Sequence, residues 1–199
     1  EHLAGSYACS GLTAYSALKK IPNTGPEDWI IIIGAGGVGI NGILLSSAVQ
    51  KAKILVIDKD KEKREKAVEA GAHEAFSPDD EEKIRKVIGI GASAAIDFVG
   101  MPQTTDFGLS LIKKGGMVVV VGLYGGSLKL SLPLVPMRSI TLKGSYVGEL
   151  RELKELVNII KSGKIKLIQV KKQDLETANQ AMLDLRSGKV NGRIVLIPK

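Results

Sequence analysis

"IIIIGAGGVGINGILL", residues 30–45, runs from β-branched residues into a cluster of glycines, then turns apolar again at a different spacing. Trp29 and the four isoleucines read as a strand buried on both faces. Val38, Ile40, Ile43, Leu44, Ser47 and Ala48 recur at helical spacing. The stretch therefore predicts strand, tight turn, helix. Gly34, Gly36 and Gly39 fall on the pattern G-x-G-x-x-G, with Gly37 and Val38 inside it. The first glycine permits the turn, the second lets a pyrophosphate approach the backbone, and the third lets helix and strand pack closely. The helix start then offers free N–H groups and the positive end of its dipole to the phosphates.

A glycine pattern alone is weak, but this one has its context. A second apolar strand, "KILVI", ends at Asp58, near the ~20-residue spacing at which the dinucleotide fingerprint places its acid. A carboxylate there accepts hydrogen bonds from both ribose hydroxyls and repels a 2′-phosphate, which favours NAD over NADP. Lys59, Lys63 and Arg64 stand nearby and soften that preference. A glycine-rich turn without a ligand is the plain alternative. Motif, strand, helix and acid together argue against it.

Outward from this unit the alternation continues. A charged helix covers Lys61 to Ala70 and stops at Gly71. A short strand follows near Glu74 to Phe76. "SPDDEEKIRKVIG" opens a helix with Ser77 as N-cap and Pro78 at the first helical position. "ASAAIDFVG" is a fourth strand, residues 104–112 a helix closed by "KKGG", and "MVVVVGLYGG" a fifth, buried strand. "SLKLSLPL" alternates, and "SITLKGSYVG" gives a sixth strand. The tail reads as helix ("RELKELVNIIKSGK"), strand ("KLIQV"), helix from an Asp174 N-cap, and a last strand ("GRIVLIP"). The fold class is α/β: a Rossmann-type, doubly wound, six-stranded parallel sheet with a C-terminal helix-strand-helix-strand extension.

The 199 residues suffice for one domain with a full core. No apolar run approaches the ~20 residues of a membrane span. The opening has no signal-peptide pattern and no methionine, so the chain reads as a piece of a longer protein. The one cysteine fits a reducing, cytoplasmic setting. A net charge of +7 raises nucleic acid as a partner. The most one-sided patch, "KSGKIKLIQVKK", has five lysines but no arginine or aromatic residue to stack bases. The expectation is no nucleic acid and no membrane.

Four stretches, "CSGLTAYSAL", "GAGGVG" with Asp58, "KGSYVG" and "GKVNGRIVLIP", resemble the C-terminal portion of zinc-dependent medium-chain alcohol dehydrogenases, above all the archaeal and yeast-like NAD enzymes. The resemblance implies that residues 1–11 end a catalytic domain, that 12–146 bind the dinucleotide, and that 147–199 pack back on the catalytic domain. It implies that Cys9 is a ligand of a catalytic zinc whose other ligands lie upstream. It places Thr13 and Val38 at the nicotinamide, Asp58 and Lys63 at the adenosine ribose, and Val99 and Met101 along the adenine and bridging region. Val121, Gly122, Leu123, Ser145 and Val147 would surround the carboxamide, and Arg193 would reach the pyrophosphate. No catalytic residue falls within the chain, so these 199 residues alone are expected to be inactive. The partners implied are a small alcohol or aldehyde and further copies of the chain, as a homodimer or homotetramer joined through "SLKLSLPL" and "SITLKGSYVG". A zinc-free, NADPH-dependent quinone or enoyl reductase is the alternative, which Asp58 and Cys9 oppose. His2 and His73 receive no catalytic assignment.

Overall fold

The isoleucine run forms β1, Trp29–Ile33, at the middle of the sheet. The description rests on a computed structural model and covers residues 3–190 and 192–198. β1 pairs in parallel with β2 (Lys53–Ile57) on one side and β4 (Ala92–Asp97) on the other. β3 (Glu74–Phe76) extends the first side. β5 (Ile112–Val120) and β6 (Thr141–Gly144) extend the second. The order is β3-β2-β1-β4-β5-β6 with every pair parallel, so the winding reverses between β1 and β4. At such a reversal the crossovers leave in opposite directions and open a crevice at the strands' C-terminal ends.

Side chains alternate along β1, and both faces are covered. Ile30 and Ile32 join Leu18, Ile43, Leu45 and Leu156 in one core. Ile31 and Ile33 join Ile84, Ile88 and Leu109 in the other. The first core is closed by α2 (Leu12–Lys19), α3 (Gly37–Val49) and α8 (Leu150–Lys161). The second is closed by α5 (Glu81–Ile88) and α6 (Pro102–Leu111). A single turn, α1 (Ala4–Ser6), and a π-helix, Tyr7–Gly11, lead into α2. The charged helix α4 runs Lys61–Ala70, capped by Asp60 through the amides of Glu62 and Lys63 and stopped by Gly71 at φ +117°. Ser77 and Asp80 form a capping box around Pro78–Asp80.

Four local expectations are corrected. β5 begins at Ile112, directly after α6, and "KKGG" is a bulge inside it: Ala92 faces Ile112, but Ala94 faces Met117. Lys113 is drawn out of line by Asp28, whose carboxylate its Nζ meets at 2.7 Å. "SLKLSLPL" forms no strand, because no neighbour offers it a ladder. Leu128 and Leu130 still turn toward the core, and the short helix α7 (Leu134–Arg138) follows. In the tail, β7 is Val170–Asp174, later than "KLIQV", because its parallel pairing with β8 (Arg193–Ile197) starts only at Val170. Asp174 makes no side-chain cap; it precedes a 3-10 turn, Leu175–Thr177, before α9 (Ala178–Arg186).

Two carboxylates tie distant segments together. Glu155 on α8 is bonded by Lys19, Tyr15 and Arg151, which hold it at about 2, well below its ordinary 4.5. Burial and the same carboxylate push Tyr15 up to about 12. Lys113, Ser93 and the Gly25 amide hold Asp28 at about 2, against 3.8. Folded values below unfolded ones mean stability that is full above about pH 4.5 and lost as pH falls toward 2. The melting temperature is therefore expected to drop across that window. Glu155→Gln should flatten part of the drop, and an unchanged slope in thermal melts between pH 2 and 5 would contradict it.

Candidate functional site

The crevice between β1 and β4 is built by the glycine loop. Gly34 leaves β1 at φ +92°, a left-handed conformation that glycine adopts without strain, and Val99 lies against it. A Cβ on Gly39 would stand 1.8 Å from the Gly34 carbonyl oxygen, so the first turn of α3 rests directly on the turn. Gly36 is the N-cap and gives no side-chain cap. The first amides of α3 thus lack a side-chain acceptor at the cap and suit an anion. A Cβ on Gly36 would meet nothing within 4 Å, so this face of the loop is open. Val38 is half-buried beside it.

Asp58 stands where the sequence placed it. Its Oδ2 accepts from the Ala35 amide at 2.8 Å, and Oδ1 from the Asp60 amide at 2.9 Å. The acid is therefore fixed to the glycine loop, and each oxygen retains acceptor capacity for a ribose hydroxyl. Arg64 donates to the carbonyls of Asp58 and Lys59, so its guanidinium is committed to backbone. Lys63 is half-buried at the start of α4, and Lys59 is exposed.

Across the crevice the organiser is Asp97, which sequence reasoning missed. It is fully buried at the end of β4. Oδ1 accepts from the amides of Val99 and Gly100, at 2.9 Å each. Oδ2 accepts from the hydroxyls of Thr104 and Thr105 at 2.8 and 2.7 Å. Its main-chain oxygen takes the amides of Val121 and Gly122. One residue thus sets the ends of both β4 and β5. The available signal was an acid ending an apolar strand, the same pattern that drew attention to Asp58.

The remaining predicted residues divide. Val99, Met101, Val121 and Gly122 line the β4–β5 side, and Leu123 is exposed beyond them. Ser145, after β6, is buried with its amide on the Val120 carbonyl, and its Oγ has no partner among the described residues. Val147 has φ +50°, a strained conformation for a β-branched residue. Arg193 comes to the loop from 154 residues beyond Gly39: a Cβ on Gly37 would meet its Cδ at 2.5 Å. Its guanidinium has no ion pair among the described residues. Thr13 donates to the Cys9 carbonyl at 2.8 Å.

Cys9 is exposed in the π-helix. Among the described residues no three His, Cys, Asp or Glu side chains come together as a metal site. These residues supply one zinc ligand at most and do not by themselves fit the ion. Their chemistry suits a dinucleotide: an open helix start and an anchored acid stand together at the glycine loop, and an orphaned buried hydroxyl lies just after β6. His73 packs elsewhere, accepting the Ile54 amide on Nδ1 and meeting Trp29 edge-on. His2 lies outside the described residues.

The parallel order and the reversal between β1 and β4 define a Rossmann-like, doubly wound α/β fold. Residues 37–162 match the family of zinc-binding dehydrogenases, and the chain belongs to that family, within the medium-chain alcohol dehydrogenases. It is 35% identical over 98% of its length to an NAD-dependent alcohol dehydrogenase of Sulfurisphaera tokodaii, and 38% identical over 97% to one of Sulfolobus acidocaldarius. It spans 57% of the length of each of these relatives. The alcohol dehydrogenase of Aeropyrum pernix superposes with a TM-score of 0.92 at 32% identity, covering 98% of this chain and 58% of that one. The acetophenone reductase of Geotrichum candidum, solved with NAD, gives 0.85 at 27% identity, covering 98% and 55%.

Proposed function

We propose that the chain is the cofactor-binding portion of an NAD-preferring, zinc-dependent alcohol dehydrogenase that interconverts a small alcohol with its aldehyde or ketone. The observation that carries this is Asp58, tied to the Ala35 amide and facing the start of α3. A bound nicotinamide would supply the hydride acceptor or donor of the reaction. The residues of this chain hold it. The α3 amides and Arg193 take the pyrophosphate, Asp58 the adenosine ribose, and Ser145 Oγ the carboxamide, while Val38 and Thr13 flank the ring. In this reading residues 12–146 bind the dinucleotide, and residues 1–11 and 147–199 belong with a catalytic portion. Cys9 is one ligand of a zinc completed there, and as a thiolate it suits a reducing cytoplasm.

Titration with NADH and NADPH tests the reading. Wild type is expected to prefer NADH, and Asp58→Ala to reduce the NADH-to-NADPH affinity ratio about tenfold or more, the worth of a charge-assisted hydrogen bond. The ratio is the readout because damage to the Ala35 contact weakens both cofactors alike. A wild-type preference for NADPH would sink the assignment and favour the zinc-free reductase. Residues 1–199 alone should turn over no alcohol; measurable turnover would contradict the ligand assignment.

The edge strand β6 is exposed along its whole length, Leu142 within it being 45% accessible. We propose that it pairs with a second copy. Leu142→Lys is expected to shift the full-length protein to a smaller species in light scattering.

A further inference from the structure

We propose that Asn41 is a positioning residue that couples the glycine loop to the turn carrying Cys9, an inference that rests on the cofactor reading above. Asn41 is fully buried one turn into α3, a helix otherwise apolar on this face. Its Nδ2 donates to the Gly37 carbonyl at 3.0 Å and to Ser10 Oγ at 3.1 Å. Ser10, also fully buried, passes the chain on to the Ser6 carbonyl at 2.8 Å. The four groups form a continuous polar line from the first residue of the cofactor helix to the π-helix beside Cys9. Turned over, the Asn41 amide would set its oxygen against the Gly37 carbonyl, so the partners fix its orientation.

Stability does not account for this line. Asn41 Oδ1 is buried without a partner among the described residues, which costs the desolvation of that oxygen. An apolar pair of similar volume would avoid it. What the polar pair supplies is direction. A pyrophosphate on the α3 amides fixes the first turn, the Gly37 carbonyl holds Asn41, and Asn41 holds Ser10. π-Helical turns are rare and are found frequently at functional sites. Here the turn aims Cys9, and Thr13 closes it from the other side through the Cys9 carbonyl.

The test uses the full-length protein and ADP-ribose, which fills the adenosine and pyrophosphate positions without a nicotinamide to touch Cys9. Hydrogen–deuterium exchange of the peptide covering residues 6–13 is followed with and without it. In wild type, ADP-ribose is expected to slow exchange about fivefold, the lower end of ordinary coupling between sites. In Ser10→Ala and in Asn41→Leu the slowing should fall below about twofold. Asn41→Leu, which removes the buried amide altogether, should melt at or above the wild-type temperature, which a merely structural role would not permit, whereas Ser10→Ala leaves an Asn41 N–H unpaired and should melt somewhat lower. Equal slowing in the variants, or no slowing in a wild type that binds ADP-ribose, would overturn the coupling alone. Failure of wild type to bind ADP-ribose would overturn the cofactor reading with it.

Discussion

Gly39→Ala is expected to cost more than about 3 kcal/mol, while Gly36→Ala leaves the fold nearly as stable and weakens NADH more than tenfold. The two glycines belong to one motif but fail for different reasons. An alanine Cβ at 39 would sit 1.8 Å from the Gly34 carbonyl oxygen, a backbone atom that cannot swing aside. The helix must lift off the turn, and Ile43, Leu44 and Leu45 lift with it. At Gly36 the backbone has φ −73° and ψ −170°, which any residue adopts, and the added methyl meets no protein atom within 4 Å. That space is where the pyrophosphate would approach. Urea denaturation and NADH titration on the pair separate packing from binding. If Gly36→Ala binds NADH as well as wild type, the phosphates lie elsewhere. If Gly39→Ala loses less than 1 kcal/mol, α3 can slide on β1 and the third glycine is not required for packing.

Why these positions were legible, and others were not, is physical. β1, β2 and β4 are runs buried on both faces, so their composition announces them wherever they pair. The bounds of α4 follow from the residues that flank it: Asp60 caps one end and Gly71 closes the other. The start of β5 is different in kind. Whether "KKGG" ends a helix or bulges from a strand depends on Asp28, 85 residues away, which holds Lys113. The onset of β7 likewise depends on where β8 arrives. Arg193 was assigned to the phosphates by resemblance, and the fold brings it against Gly37. Cys9 was singled out in the same way, but a metal site needs several ligands to converge, and no three candidate side chains come together among the described residues. Nothing local marks Asn41 as buried; the packing of the Tyr7–Gly11 turn against α3 encloses it.

Asp97 shows the same limit from the other direction, and its replacement should have the second large effect. Asp58 and Asp97 both end apolar strands, and nothing local distinguishes an acid that faces a ligand from one that faces its own chain. The partners decide. Asp97 is enclosed by two amides and two hydroxyls within 2.9 Å. In Asp97→Ala the threonine hydroxyls can rotate to other acceptors; the Thr104 hydroxyl already lies 2.9 Å from the Met101 carbonyl. The Val99 and Gly100 amides cannot rotate. Two unpaired amides at about 1–3 kcal/mol each give an expected loss of about 2–6 kcal/mol. Asp97→Asn should lose only about 1 kcal/mol, because its remaining oxygen keeps the amides and its NH2 can donate to the hydroxyls. NADH affinity should follow the same order, since the Val99 and Gly100 amides are set by this side chain, while Val121 and Gly122 rest on its main-chain oxygen, which both variants keep. Urea denaturation of both variants decides the point. If Asn is as damaging as Ala, the negative charge holds the crevice together. If Ala costs less than 1 kcal/mol, water replaces the carboxylate and the ends of β4 and β5 are aligned by the sheet alone.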